Sequence, residues 1–183
     1  MILQSQTLTL RLIQLSDLEA LYALQSNPLV AQYNTIGVPD DMSFTKNLIV
    51  NALSDVDSFG VTNFWWGVFL KKEDKFIGEA GLNLALTQYK SAEIFYAIDP
   101  HFWRQGYATE VVETILHFGF ADLDLHRIST GVATENIASI KLLEKVGMKR
   151  EGRHRKIMPI RGEWWDNYHY AILDEDFFGN VGE

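Results

Sequence analysis

The stretch Ala92-Glu93-Ile94-Phe95-Tyr96-Ala97-Ile98-Asp99-Pro100-His101-Phe102-Trp103-Arg104-Gln105-Gly106-Tyr107-Ala108-Thr109-Glu110 decides how the rest of the chain is read. Ala92 to Asp99 is apolar and aromatic and closes at Pro100, which predicts a buried strand. Ala108, Val111, Val112, Ile115 and Phe118 recur at helical spacing and predict a helix over 108–121 with one buried face. A strand thus runs through a short loop into the N-terminus of a helix. Gly106, lacking a Cβ, allows a tight turn and a close ligand. The first helical N–H groups have no internal partners and carry the positive end of the helix dipole, so the loop suits a phosphate or pyrophosphate. Arg104 can add a charge-assisted contact. From spacing alone, an ordinary strand-to-helix connection with a turn glycine accounts for the same residues more simply. The loop has neither the GxxxxGK[ST] of a P-loop nor the GxGxxG of a dinucleotide fingerprint.

Upstream, Phe64 to Leu70 and Phe76 to Leu86 read as strands joined by the charged turn Lys71 to Lys75. With Ala92 to Asp99 they form an antiparallel meander. Downstream, Asp122 to His126 returns the chain to a strand, Arg127 to Ala133, which must lie roughly parallel to Ala92 to Asp99 because a helix separates the two. Ser129, Gly131 and Ala133 make one of its faces small. Asn136 is then a good N-cap for a helix carrying Ile140, Leu142, Leu143 and Val146, with Gly147 as its left-handed C′ residue. Residues 153–173 read as a final hairpin turning at Pro159 to Gly162. Trp164, Asp166, Tyr168 and Tyr170 share one face of it, Trp165 and His169 the other. The Trp165 face reads equally as an acceptor pocket or as a homodimer contact.

At the start, Leu8 to Ile13 alternates as a strand. Ser16-Asp17-Leu18-Glu19 reads as a capping box with Ser16 as N-cap, opening a helix with Leu18, Leu21, Tyr22 and Leu24 that stops near Asn27-Pro28. Residues 29–63 are the least readable. A helix from Ser43 to Leu53 with Phe44, Leu48, Ile49 and Ala52 on one face is the reading there.

The 183 residues make one domain, 1–183. Without cysteine there is no disulfide, thiolate metal site or cysteine nucleophile. The five histidines are scattered without ligand spacing, so no metal is expected. A net charge of −8 disfavours nonspecific nucleic-acid binding. The longest compact apolar run is far too short for a bilayer, no secretory signal is visible, and a cytoplasmic protein is expected. Residues 1–126 carry 7 Lys/Arg against 15 Asp/Glu, 127–161 carry 9 against 3, and the remainder none against 6. A basic segment in an acidic chain suits an anionic ligand and leaves an acidic remainder that attracts amines. A solvated charge run explains the segment equally well.

Trp103 to Glu110 resembles the coenzyme A loop of the GCN5-related N-acetyltransferase (GNAT) superfamily. It is most similar to the ribosomal-protein N-terminal acetyltransferase (RimJ/RimL-like) branch, where the loop often reads W-G-x-G-Y-A-T-E. Arg104 stands in place of that branch's first glycine, and Trp103 where the wider superfamily has Gln or Arg. Asn136-x-x-Ser139, then Leu142 to Met148 and Glu151-Gly152, resembles the family's N-x-x-S-x-x-L-L-E-K-x-G-F…E-G block, with Met148 for Phe. Leu143 stands where many members have a tyrosine that protonates the leaving thiolate. The opening and Gly162 to Tyr170 are also similar to this branch, so the resemblance spans about residues 7–175.

The resemblance implies an α+β (α/β) domain: a mixed, mostly antiparallel twisted sheet of about seven strands, about four flanking helices and a splayed central parallel strand pair. It implies an acetyl-CoA-dependent N-acetyltransferase acting on a primary amine, either a protein N-terminus or a small amine such as a polyamine or antibiotic. A noncatalytic acyl-CoA-binding protein of the same fold is the alternative. In the resembling fold pantetheine lies in the splay, bonding backbone near Ala97 and Ile98. Arg104, Gln105, Gly106, Tyr107, Ala108 and Thr109 hold the pyrophosphate. Asn136 and Ser139 meet the pantetheine or acyl region. Glu93 is the expected general base, with Glu79 as the other candidate, and Ser139 the expected proton donor to sulfur. Residues 29–63 then cover the acceptor site.

Overall fold

The computed structural model describes residues 1–54 and 63–179. Its strands are β1 (Ile2–Gln4), β2 (Leu8–Leu12), β3 (Phe64–Leu70), β4 (Lys75–Leu84), β5 (Ser91–Ile98), β6 (Arg127–Ala133), β7 (Lys149–Ile160) and β8 (Glu163–Leu173). They form one eight-stranded sheet in the order β1-β2-β3-β4-β5-β6-β8-β7. The strand beyond the expected seven is the three-residue β1. Every pairing is antiparallel except β5 with β6, the pair that the intervening helix forces to run parallel.

The helices are α1 (Leu18–Gln25), α2 (Pro28–Ala31), α3 (Met42–Ser54), α4 (Tyr107–His117), α5 (Ile137–Lys145) and α6 (Asp174–Gly179). The two beyond the expected four are the short α2 and α6. On one face of the sheet Val111, Val112, Ile115 and Leu116 of α4 and Ile140 and Leu143 of α5 join Leu8, Leu10, Trp66, Leu82, Ile94 and Ile128 in the main core. On the other, Leu21 and Leu24 of α1 and Ile49 of α3 pack with Ile13. β4 is covered on both sides, and Ile77 to Leu82 is buried without interruption. Each apolar side chain placed in such a layer contributes about 1.5–3 kcal/mol.

Three local expectations change. Ser16 is not the N-cap of α1: a 3-10 turn, Leu15–Asp17, precedes that helix, and buried Asp17 turns back to accept from the Gln14 N–H (2.9 Å) and from both Arg11 nitrogens (2.7 and 2.8 Å). In α3 the buried face is Thr45 and Ile49 with Leu48 partly covered, whereas Phe44 and Ala52 are exposed. Thr45 can be buried because its hydroxyl donates to Gln25 Oε1 (2.9 Å). The segment expected to cover the acceptor site, 29–63, includes 55–62, which lie outside the described residues. Downstream, the small face of β6 receives a neighbour from β8, since a Cβ on Gly131 would strike the Asn167 amide at 2.6 Å.

The last hairpin is longer than expected, beginning at Lys149. It turns through Arg161 and Gly162, with φ of 51° and 79°, the paired positive values that suit a two-residue turn between right-twisted strands.

Candidate active site

β5 and β6 are joined by only three register pairs, Ser91↔Arg127, Ala92↔Ile128 and Glu93↔Ser129. Beyond them β5 continues to Ile98 against β4 and β6 continues to Ala133 against β8, without pairing to each other. The sheet therefore opens into a V with its vertex at Glu93 and Ser129. From Glu93 to Ile98 the open side of β5 advances about 16 Å.

Backbone direction along that edge follows from the ladder. The Asp99 N–H bonds Ile77 O and the Ala85 N–H bonds Ser91 O, so odd-numbered residues of β5 turn their N–H and C=O toward β4. Even-numbered ones turn toward β6, as Lys90 O does in accepting from the Arg127 N–H. The N–H groups of Tyr96 and Ile98 thus point into the V. Ala97 faces Glu79 across the β4–β5 ladder instead, so its backbone does not serve the gap. Of the two residues expected there, Ile98 turns its N–H toward the gap and Ala97 turns its own toward β4.

At the open end lies the loop. Trp103 donates from Nε1 to Ile98 O (2.6 Å), anchoring the loop to the strand end with its indole. Arg104 has φ 62° and Gly106 φ 89°, both left-handed. The first is a conformation glycine adopts without strain, which is why a glycine is common at that place. A Cβ built on Gly106 would meet nothing of the protein within 4 Å. The first internal bond of α4 runs from the Glu110 N–H to Gly106 O (3.1 Å). The N–H groups of Tyr107, Ala108 and Thr109 consequently have no partner within the helix and form an anion-binding end. The side chains around them are structural. Tyr107 packs on Phe102 at 6.4 Å between ring centres, Gln105 donates to His101 O (3.2 Å), and Ala108 leans on the main core. Arg104 is exposed.

Glu110 is a residue whose role the sequence reading missed. Its carboxylate accepts from Ser5 Oγ (2.6 Å), Thr7 N (2.6 Å) and Thr7 Oγ1 (2.7 Å), tying the first turn of α4 to the β1–β2 link. Burial alone would raise its pKa, but these bonds together hold it below the usual carboxylate range.

On the α5 side of the V, Asn136 Oδ1 accepts from the Ser139 N–H (3.2 Å), so Asn136 is the N-cap and its amide NH₂ is what remains for a ligand. Ser139 Oγ lies 2.6 Å from the Tyr96 hydroxyl, which reaches from β5 to α5. Burial pushes the Tyr96 phenol up to about 12, with the Ser139 bond opposing the shift. Leu143 is wholly buried in the core.

On the opposite face of the sheet stand the two carboxylates. Glu93 is exposed at the vertex. Glu79 is buried, accepting from Trp65 Nε1 (2.8 Å) and from Gln25 Nε2 (3.3 and 3.4 Å), and Gln25 in turn is held by Thr45. Burial raises its pKa, and the bonds from Gln25 and Trp65 counter part of the rise. The phenyl ring of Phe95 lies where a Cβ on Gly81 would be, flooring this face. The tip of the last hairpin closes over it: Trp165 meets Tyr33 edge-on at 6.3 Å, and Arg161 donates to Pro28 O (3.4 Å). His154 and His169 stack at 5.6 Å, and among the described residues no group of three ligand-type side chains could hold a metal. Nor, among them, is any helix long and apolar enough to cross a membrane.

Comparison with known proteins agrees with this geometry. The model of the acetyltransferase (GNAT) domain family matches residues 7–149. The chain is 32% identical to an uncharacterized N-acetyltransferase, YnaD, of Bacillus subtilis over 94% of its own length and 97% of the relative's. It is similar to the crystal structure of a GNAT-family acetyltransferase from Bacillus anthracis, with 30% identity, a TM-score of 0.83 and coverage of 96% and 99% of the two chains. It also shares its fold with spermidine N-acetyltransferase from Vibrio cholerae, solved with CoA and spermine, at 24% identity, a TM-score of 0.84 and coverage of 94% and 98%. With the splayed parallel pair and the glycine loop at a helix N-terminus already in place, the chain belongs to the GNAT acetyltransferase family and is an enzyme of the acyltransferase class.

Proposed function

We propose that the protein transfers the acetyl group of acetyl-CoA directly to a primary amine in a ternary complex. The observation that carries this reading is the V between β5 and β6, with its open end at the loop of Trp103 to Gly106. The pyrophosphate sits on the N–H groups of Tyr107, Ala108 and Thr109 beside Arg104. Pantetheine extends along β5, bonding the backbone of Ile98 and Tyr96 in the manner of an added strand, and the Asn136 amide takes one of its polar groups. The thioester then lies near the vertex, where a backbone N–H of β5 polarises its carbonyl. Holding both reactants together supplies most of the acceleration, so no enzyme nucleophile is needed.

The amine arrives from the face that carries Glu93 and Glu79, between the α1–α3 layer and the hairpin tip. Glu93, exposed at the vertex, takes the ammonium proton directly or through water. The amine nitrogen forms its bond to the carbonyl carbon and sheds its second proton to solvent, the C–S bond breaks with its electron pair going to sulfur, and Ser139 gives a proton to sulfur. The acceptor is a protein N-terminus, the reading that the RimJ/RimL-like motifs support. Spermine, bound in the Vibrio cholerae structure, represents the competing small-amine chemistry. The expected net charge of −8 favours either cation. Thiol release from acetyl-CoA, screened over N-terminal peptides, polyamines, aminoglycosides and amino acids, tests the proposal. Stimulation by N-terminal peptides supports it as stated, and stimulation by polyamines alone reassigns the acceptor. Release with none of these amines, alongside tighter binding of ATP or NAD than of coenzyme A, overturns it.

A further inference from the structure

Two hydroxyls facing each other at 2.6 Å across the V share one hydrogen between them, which leaves the other free to point elsewhere. Either atom of Tyr96 Oη and Ser139 Oγ could donate. Phenol is the more acidic of the two and the stronger donor, and Tyr96 has burial holding it in its protonated form. The favoured arrangement therefore has Tyr96 donating to Ser139 Oγ. The Ser139 hydrogen is then turned away from Tyr96. The serine itself is fixed, because its backbone N–H is held by Asn136 in the first turn of α5. Its side chain has few directions left.

We infer that Tyr96 is a positioning residue for the leaving group: by donating to Ser139 Oγ it aims the Ser139 O–H at the departing sulfur. This rests on the proposed reading of Ser139 as the group that meets the thiolate, and it extends that reading to a residue on a different element. The family tyrosine that would occupy position 143 is a core leucine here, and its place is taken by Ser139, one turn earlier on α5, together with Tyr96 from the facing strand. In the step itself the C–S bond breaks with its electron pair going to sulfur. The Ser139 proton moves to sulfur, the Tyr96 proton follows to Ser139 Oγ, and the second proton, shed by the nitrogen once it has bonded to the carbonyl carbon, restores the phenol through solvent. Where sulfur departs as a thiolate without full transfer, the same aimed O–H stabilises it as a hydrogen-bond donor. In both cases the need for Tyr96 scales with the basicity of the leaving group.

That dependence sets the test. Rates are measured with acetyl-CoA and with its selenoester analogue, which has the same shape and a far more acidic leaving atom, for the wild-type chain, Tyr96→Phe, Ser139→Ala and the double variant. Titration of coenzyme A checks that each variant still binds it, and phenylalanine keeps the ring and its packing. Tyr96→Phe is expected to lower kcat with acetyl-CoA about tenfold, the scale of one hydrogen bond, and to recover most of that loss with the selenoester. The double variant is expected to be no slower than Ser139→Ala alone, as two residues acting in one unit require. If Ser139→Ala shows the donor-dependent loss while Tyr96→Phe keeps the wild-type rate, or loses equally with both donors, the positioning role is wrong and the Ser139 reading survives. If Ser139→Ala itself loses nothing, or loses equally with both donors, the Ser139 reading falls and this inference with it.

Discussion

Glu110 holds Thr7 by two bonds, from the backbone N–H at 2.6 Å and from Oγ1 at 2.7 Å, and so fastens α4, the helix that follows the glycine loop, to the first strands of the chain. Its folded pKa is lowered, so the stability it contributes is present above the unfolded glutamate value of about 4.3 and is lost as pH falls through the lower folded value. Glu110→Gln is expected to lower unfolding stability by about 1–2 kcal/mol at pH 7, discounting for partial exposure. The difference between variant and wild type should shrink when urea unfolding is repeated below pH 4.

Gly106 and Arg104 separate backbone from charge in the loop. At Gly106 the protein leaves space for a Cβ, so Gly106→Val strains only the backbone at φ 89°, by about 1–2 kcal/mol. With coenzyme A on this loop as proposed, the added methyls crowd it, and isothermal titration should show coenzyme A affinity reduced at least about tenfold. Arg104→Gly relieves a left-handed arginine but adds chain entropy, leaving stability within about 1 kcal/mol. Its coenzyme A affinity should fall by about tenfold, and by less at high salt. Unchanged affinity in a folded Gly106→Val variant removes this loop from the site.

Much of this was legible because it depends on residue type at short range. Apolar spacing alone defines α4, a glycine marks the turn before it, and Asn136 caps α5 as its side chain predicts. What was hidden depends on pairing between distant segments. Whether Ala97 or Tyr96 offers its N–H to the gap is a matter of ladder parity with β4, which no side chain records. Thr45 is buried in α3 because Gln25 of α1 satisfies it, so a face chosen by hydrophobicity alone picked Phe44 and Ala52. The Tyr96 to Ser139 contact joins residues 43 apart and needs the V before it can be imagined. Glu79 looked like one strand carboxylate among others until Trp65 and Gln25 closed over it.

The two carboxylates should behave differently. Glu93→Gln is expected to reduce kcat/KM for the amine by about 10²-fold and to remove the acidic limb of its pH profile, with coenzyme A binding intact. For Glu79 the sign concerns stability. Its pKa is raised on folding, so its ionisation opposes the folded state, with stability full below the unfolded value and falling as pH rises through the folded one. Glu79→Gln should thus compare more favourably with wild type at pH 8 than at pH 4 in thermal unfolding. The reverse ordering would contradict the burial argument.

Trp165 and Tyr33 meet edge-on where the hairpin tip covers the sheet face that carries Glu93 and Glu79, the proposed acceptor side. Trp165→Ala should raise KM for the amine by about tenfold and leave coenzyme A affinity unchanged, as an acceptor-wall residue requires. Analytical ultracentrifugation of the same variant addresses the other role. A change in assembly state with the amine KM unaltered makes this face a contact between copies of the chain.

The central claim is direct transfer in the V, and a single-turnover experiment addresses it without intermediaries. Enzyme in excess over acetyl-CoA carrying a labelled acetyl group is mixed with the amine selected by the thiol-release screen and quenched over time. The account predicts that label appears on the amine at the rate at which free thiol appears, with none retained on protein at any time. Label accumulating on the chain before it reaches the amine, or thiol released with no label on the amine, would contradict it.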